Sequence, residues 1–146
     1  MYCSVMTEHN HPRRTRIEQG ARTVVAGLLA LAFAFFGLSK VTADPTQVAM
    51  FQGWGYPLWF MYLVGAAEIG AAALLAVPSS RFYGAAAVVG LMAGGFATHA
   101  FAGELMQLPL PLMTGAAAGL VAVLTRPSWS TDAAGNRAQA EAGDGA

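Results

Sequence analysis

One cysteine, Cys3, stands in the whole 146-residue chain. That excludes an internal disulfide, a CxxC redox pair and a multi-cysteine metal site, so any electron transfer requires a bound cofactor or a partner protein. Charge is nearly as scarce. Asp, Glu, Lys and Arg make up 11% of the residues, and eight basic side chains balance eight acidic ones to a formal net charge of zero. A balanced chain has no electrostatic footprint for nucleic acid. Histidine occurs only as His9, His11 and His99. His9 and His11 lie in a polar N-terminal stretch with no further ligand beside them, and read as solvated tail residues rather than a metal site. A single histidine in the apolar part also argues against a bis-histidine haem.

What the chain has instead is apolar length. Hydrophobic residues make up 55% of it and 17 residues are glycine, too apolar for an ordinary soluble domain and suited to one compact membrane domain in contact with lipid. Four runs are long enough to cross a bilayer. The first, 23–40, repeats Ala26, Ala30 and Ala34 at four-residue spacing, a small-residue face for a neighbour. The second, 58–77, contains one charged residue, Glu68. The third, 82–102, carries the close-packing spacing Gly90-xxx-Gly94 and, near its far end, His99. The fourth, 108–125, opens with Pro109 and Pro111, where missing amide donors matter least, and repeats the close-packing device at Gly115-xxx-Gly119. These runs predict an all-α fold, a four-helix transmembrane bundle over 22–126 between disordered cytoplasmic tails, 1–21 and 127–146.

Between the first two runs, Asp44-Pro45 is a helix start and Gly53 a stop. Trp54, Tyr56 and Trp59 follow, amphipathic aromatics of the kind that gather at membrane interfaces. Segment 44–57 therefore predicts a short interfacial helix and loop, an anchor in the first instance and a substrate lid in the second. The arginines before the first run and Val41-Thr42-Ala43 after it also resemble a secretory signal with its cleavage site; the length of the run and Lys40 favour a retained helix. Seven of the eight Lys and Arg residues fall in the N-terminal tail with Arg22, at Arg81, or in the C-terminal tail, leaving Lys40 on the other side. By the positive-inside rule both termini are cytoplasmic, and the chain is a multi-pass protein of the cell membrane.

Depth along the helices ranks the polar residues. Glu68 lies roughly 15 Å below the start of its helix, near the midplane, where an ionised carboxylate costs about 2.5 to 3.5 kcal/mol on insertion scales. It must be protonated, paired, or beside a wet cavity. Ser39 and Lys40, Thr98 and His99, and Thr114 all sit within about two turns of the outer boundary. The inner half of each helix has nothing ionisable. The pattern predicts a pocket open to the outer side with Glu68 at its floor. Reach favours His99 over Lys40 as its partner, because Lys40 starts about 10 to 15 Å shallower unless the first helix runs on past Ser39. On that geometry Glu68→Gln preserves folding and abolishes activity, whereas loss of assembly marks a structural ion pair.

Three segments, Phe36-Gly37-Leu38-Ser39-Lys40, Gly65-Ala66-Ala67-Glu68 and Ala97-Thr98-His99, resemble the DoxX-like family of small four-helix integral membrane proteins. The resemblance implies a bundle in the cytoplasmic membrane with Lys40, Glu68 and His99 as a polar site. The family takes its name from membrane subunits of a thiosulfate:quinone oxidoreductase, and more distant relatives assist disulfide or cofactor maturation. Three functional classes follow. The first is a membrane subunit of a quinone-linked redox or thiol-stress system, with quinone the bound cofactor and none intrinsic. There His99 would donate to a carbonyl, Glu68 carry a proton and Lys40 stabilise negative charge, while a soluble or membrane oxidoreductase partner supplies electrons. Such a subunit is not a complete enzyme alone, and the lack of paired cysteines weighs against thiol exchange by the chain itself. The second class is a non-catalytic membrane anchor, and the third a small proton-coupled carrier or lipid-binding protein. Each leaves homo-oligomerisation open.

Overall fold

The computed structural model of the chain describes residues 11–126, with side chains over 19–126. The first ten residues of the expected tail 1–21 and the whole of the expected tail 127–146, with Cys3 and His9, and the side chain of His11, lie outside the described residues. The described chain forms α1 (His11–Val41), α2 (Pro45–Gly53), α3 (Leu58–Ala76), α4 (Arg81–Phe101), a 3-10 turn (Leu105–Gln107) and α5 (Pro109–Leu124). No β-strand occurs among the described residues. Four segments, Gln19–Val41, Leu58–Ala76, Arg81–Phe101 and Leu105–Leu124, are long and apolar enough to span a membrane. Large apolar side chains cover the outside of the bundle, Leu31 at 71% and Leu110 at 65% exposure among them. Such a surface suits hydrocarbon and would aggregate in water. Helix α1 starts earlier than expected, at His11, because no proline follows Pro12 before Val41, and the Arg, Glu and Gln residues ahead of the apolar run are good helix formers that offset the isolated Gly20.

Helices α1 and α3 run antiparallel and make the most extensive contact in the molecule. Each presents a buried face with the same spacing: Ala26, Ala30, Phe33, Gly37 and Lys40 on α1, Met61, Gly65, Glu68, Ala72 and Leu75 on α3. Steps of four and three residues keep side chains on one side of a helix. At the crossing Gly37 faces Gly65. A Cβ on Gly37 would lie 2.7 Å from the Gly65 carbonyl oxygen, and one on Gly65 would lie 2.8 Å from the Lys40 Cβ. The two backbones touch there, which the absence of both side chains makes feasible. At Gly84 α4 meets α3 just as closely, 2.6 Å from the Leu75 amide nitrogen to a built Cβ. Helix α5 packs on α4 and touches α1 only lightly, so the four spans form a ring with one thin side.

The ring is unevenly filled. Its apolar core, Phe33 of α1, Leu75 of α3, Val88 of α4 and Val121 of α5 with small alanines between, sits entirely in the half nearer Arg81. At that end two arginines satisfy helix C-terminal carbonyls that otherwise lack partners. Arg81 is 9% exposed; its Nε donates to the Leu75 carbonyl at 3.2 Å and its Nη1 to the Thr23 hydroxyl at 3.4 Å. Arg22 Nη1 donates to the Leu124 carbonyl at 3.2 Å. The expected close-packing role of Gly90-xxx-Gly94 is not what the structure shows. Nothing approaches within 4 Å of a Cβ at Gly90, Gly94 or Gly95; these glycines wall a cavity instead. Gly115 does pack, at 3.3 Å from Met92, whereas Gly119 is at the limit of contact, 4.0 Å from Val89.

The two kinds of glycine predict opposite outcomes. Gly37→Ala forces α1 from α3 and should destabilise the protein by about 1–3 kcal/mol, as overpacking does. Gly90→Ala meets open space and gains helix propensity of up to about 1 kcal/mol. Thermal unfolding in detergent checks both: equal midpoints for the two variants would refute the close crossing.

Candidate functional site

The crossing at Gly37 and Gly65 sets Lys40 one helical turn from Glu68. The lysine stem runs back along its own helix, as side chains on α-helices lean toward the N-terminus. Its Nζ donates to Glu68 Oε1 at 3.1 Å and Oε2 at 2.9 Å, with the Phe36 carbonyl at 3.5 Å. The Phe36 ring lies 5.8 Å from the ammonium, within cation–π range. Lys40 is 8% and Glu68 6% exposed. The favoured pairing of Glu68 with His99 is therefore overturned: the carboxylate pairs with Lys40. The reason is stagger. Helix α1 runs past Ser39 to Val41 and ends level with Gly65, about 10 Å below the first residue of α3. Helix α2 occupies the layer left above it, so Lys40 is deeper than a count from a common boundary implies. Lys40 does not snorkel outward; it turns in.

His99 is held by another acid. Helix α4 ends in a left-handed turn at Gly103, φ 75°, with Glu104 N–H donating to the His99 carbonyl at 2.9 Å and Gly103 N–H to the Ala100 carbonyl at 3.2 Å. This paired closure is a Schellman cap. It folds Glu104 back over its own helix, where Glu104 Oε2 lies 2.7 Å from His99 Nδ1 and its Oε1 accepts from Trp54 Nε1 at 3.1 Å. A carboxylate can only accept, so Nδ1 carries the proton and Nε2 is left for other chemistry. Tyr56 and Thr98 share a hydroxyl hydrogen bond of 3.1 Å, and the Trp54 indole meets the His99 ring edge-on at 5.2 Å. The loop after α2 is thus latched to the end of α4. Hydrogen bonds from His99, then from Trp54, hold the Glu104 carboxyl below its ordinary value of 4.5.

Lys40, Glu68 and His99 line one cavity of about 600 Å³. Its floor is the ion pair, its α4 wall is the run of uncrowded glycines, and Gln47, Met50 and Phe51 of α2 roof it. Segment 44–57, expected as an interfacial anchor or a lid, therefore covers the cavity. The Asp44 cap, accepting from the Thr46 amide at 2.9 Å, starts α2 where the sequence places it. On the far side of Trp54, Tyr56 and Thr98 lies a surface pocket of about 590 Å³ that shares those three residues, with Met50 and Phe101, with the cavity. Two expected members of the polar layer do not line this cavity. The Ser39 hydroxyl donates to the Phe36 carbonyl at 2.8 Å, and Thr114 lines a separate groove between α1 and α5. Glu104 and the latching roles of Trp54 and Tyr56 were missed by depth counting; the signal was Gly103, a helix stop five residues after a histidine and followed at once by an acid.

Removing one partner from a buried ion pair strands the other charge. Lys40→Met or Glu68→Leu alone should cost about 3–5 kcal/mol, while the double variant recovers most of it. A double-mutant cycle by thermal unfolding measures this, and additive losses would show that the two groups do not act together.

The latch predicts an acid transition. Because Glu104 has a depressed folded-state value, its stabilisation is complete above the ordinary carboxylate value of 4.5 and is lost as pH falls through the lower folded value. Tryptophan emission should shift in that window, and Glu104→Ala should abolish the shift. An unchanged acid transition in Glu104→Ala would exclude Glu104 as its origin.

The sequence profile of the DoxX-like family matches residues 24–126, from α1 through the end of α5. No curated protein and no solved structure matches the chain. The match spans the Lys40 and Glu68 crossing, the roof at α2 and the latch at His99, and covers well over half of the 146 residues; with its four membrane-length helices, this is an integral membrane protein that belongs to the DoxX-like family.

Proposed function

We propose that the protein is a quinone-binding membrane subunit of a redox system, with the ring of the quinone held in the cavity above Lys40 and Glu68. The observation that carries this reading is a buried ion pair exposed to a cavity rather than enclosed by packing. A pair of this kind is often no more stable than apolar side chains of the same size, so folding alone gives no reason for it. A cavity of about 600 Å³ is within the usual size of small-molecule sites, and its mix of apolar walls with a few convergent polar groups is typical of them. Quinones carry two electrons and two protons and present two carbonyl oxygens. Lys40, its N–H groups already directed at Glu68 and the Phe36 carbonyl, supplies positive charge, Glu68 a proton-exchanging carboxyl, and His99 Nε2, with the ring proton on Nδ1, an acceptor for a quinol hydroxyl on the opposite wall.

With a single cysteine in the chain and no metal-ligand cluster among the described residues, a partner oxidoreductase delivers or removes electrons. Its approach would be over the α2 roof and the Trp54 to Glu104 latch. The distribution of arginines supports both termini in the cytoplasm and that roof on the outer face of the cell membrane. An anchor without a ligand needs no cavity, and this favours the redox reading over the purely structural one. A lipid carrier would need a polar floor only for its headgroup.

Fluorescence quenching of the full chain in nanodiscs by a quinone analogue tests the proposal. Saturable quenching is expected, weakened about tenfold or more by His99→Leu and by the Lys40→Met/Glu68→Leu double variant. Absence of saturable quenching, or equal affinity in all three proteins, would sink it.

A further inference from the structure

The Lys40–Glu68 pair is reached from a second direction. Between α1 and α5, the thin side of the ring, lies a groove of about 340 Å³ whose lining includes Leu28, Ala32 and Phe36 on α1 and Leu110, Thr114 and Ala117 on α5. Apart from Thr114 and Glu68, every lining side chain is apolar. Glu68, Phe36 and Met92 belong to both this groove and the cavity above, so the two spaces meet at the carboxylate. The groove follows α1 from Val25 to Phe36, about 16 Å, which is about the depth of one leaflet of a 30 Å hydrocarbon core. Leu28 and Leu110 at its rim are 63% and 65% exposed, on helices that span the membrane. Whatever fills it therefore comes from the bilayer.

We propose that the α1–α5 groove seats the hydrocarbon tail of the amphiphile whose head lies at Lys40 and Glu68, which enters sideways from the lipid past Phe36 and Met92. This rests on the quinone reading of the cavity and adds to it a single-tailed ligand and a lateral route. Continuity at Glu68 is the argument for that occupant: a bilayer lipid lying in the groove for its own sake would gain nothing from a carboxylate at its end. The groove is a little over half the volume of the cavity, suited to a chain rather than a second ring. The polar latch at Trp54 and Glu104 then faces a water-borne or protein partner, and the ligand never has to pass it.

The test compares a tail-less quinone with the same ring bearing a decyl chain, titrated by fluorescence quenching against the full-length protein in nanodiscs. Ala117→Phe and, from the facing helix, Ala32→Phe each fill the groove without touching the cavity lining. Partition of the decyl compound into lipid is common to all the proteins, so the change from native to variant reads the groove. Loss of about tenfold in affinity for the decyl compound, with tail-less binding unchanged, is expected of both variants. An unchanged preference for the decyl compound overturns the groove and leaves the quinone reading standing. Equal loss of both compounds also overturns it, since the substitutions would then be acting on the head site. No binding of either compound to the native protein removes the quinone reading and this inference together.

Discussion

A lysine and a glutamate in contact inside hydrocarbon are the constraint to which the rest of the bundle answers. Each charge alone is costly at that depth, and attraction between them offsets desolvation only if the geometry is close and the remaining hydrogen-bonding capacity is used. Lys40 meets both carboxylate oxygens and reaches the Phe36 carbonyl. That arrangement requires α1 and α3 to touch, and hence glycine at both Gly37 and Gly65. It requires α1 to stop short, so that the short lysine stem need not climb. It then requires α2 to fold over the shortened end. A residue pair thus determines a helix crossing, a helix length and a roof.

The two ends of the bundle handle helix termini in different ways. At the Arg81 end, guanidinium groups donate to the last carbonyls of α3 and α5 while the core seals the interior. At the Lys40 end the chain satisfies itself: α1, α2 and α4 all close with paired Schellman hydrogen bonds, at Ala43, Gly55 and Gly103. Ala43 takes the left-handed conformation, φ 54°, without being glycine, a local cost of about 1–2 kcal/mol. It fixes the tight reversal from α1 into Asp44 and α2, which keeps the roof directly above the ion pair. Self-contained caps leave the side chains of this end free to line a cavity, whereas the arginines of the other end are consumed in closing it.

Much of this was legible from composition and period. Four apolar runs yielded four spans, Asp44-Pro45 a helix start, and the absence of ionisable residues from one half of every run the sealed core. The partner of Glu68 was not legible from depth, because depth was counted from a common boundary that staggered helices do not share. It was legible from phase. Lys40 continues the series Ala26, Ala30, Phe33 and Gly37, and Glu68 continues Met61 and Gly65, each at steps of four and three. Glycine spacing misled in the other direction. Gly90 and Gly94 satisfy a close-packing motif within one helix yet face open space, while Gly37 and Gly65 lie on different helices and neither belongs to a close-packing spacing. The Trp54, Tyr56 and Glu104 latch depends on a loop folding back at Gly103, a tertiary event with only a turn signal behind it.

The cavity and its two neighbours divide their walls in a way that bears on how such a site could work. Met50, Trp54, Tyr56, Thr98 and Phe101 stand between the cavity and the surface pocket; Phe36, Glu68 and Met92 stand between the cavity and the α1–α5 groove. The first wall sets two apolar side chains beside three whose hydrogen bonds water or an acidic pH can compete for. The second has two flexible or apolar side chains and the carboxylate itself. A water-borne partner and a lipid-borne ligand would therefore reach the same ion pair through different walls, the first the more polar of the two. On the quinone reading this separation keeps the reactive head dry while leaving His99, which touches both the latch and the cavity, as the group through which the aqueous side could sense or serve it.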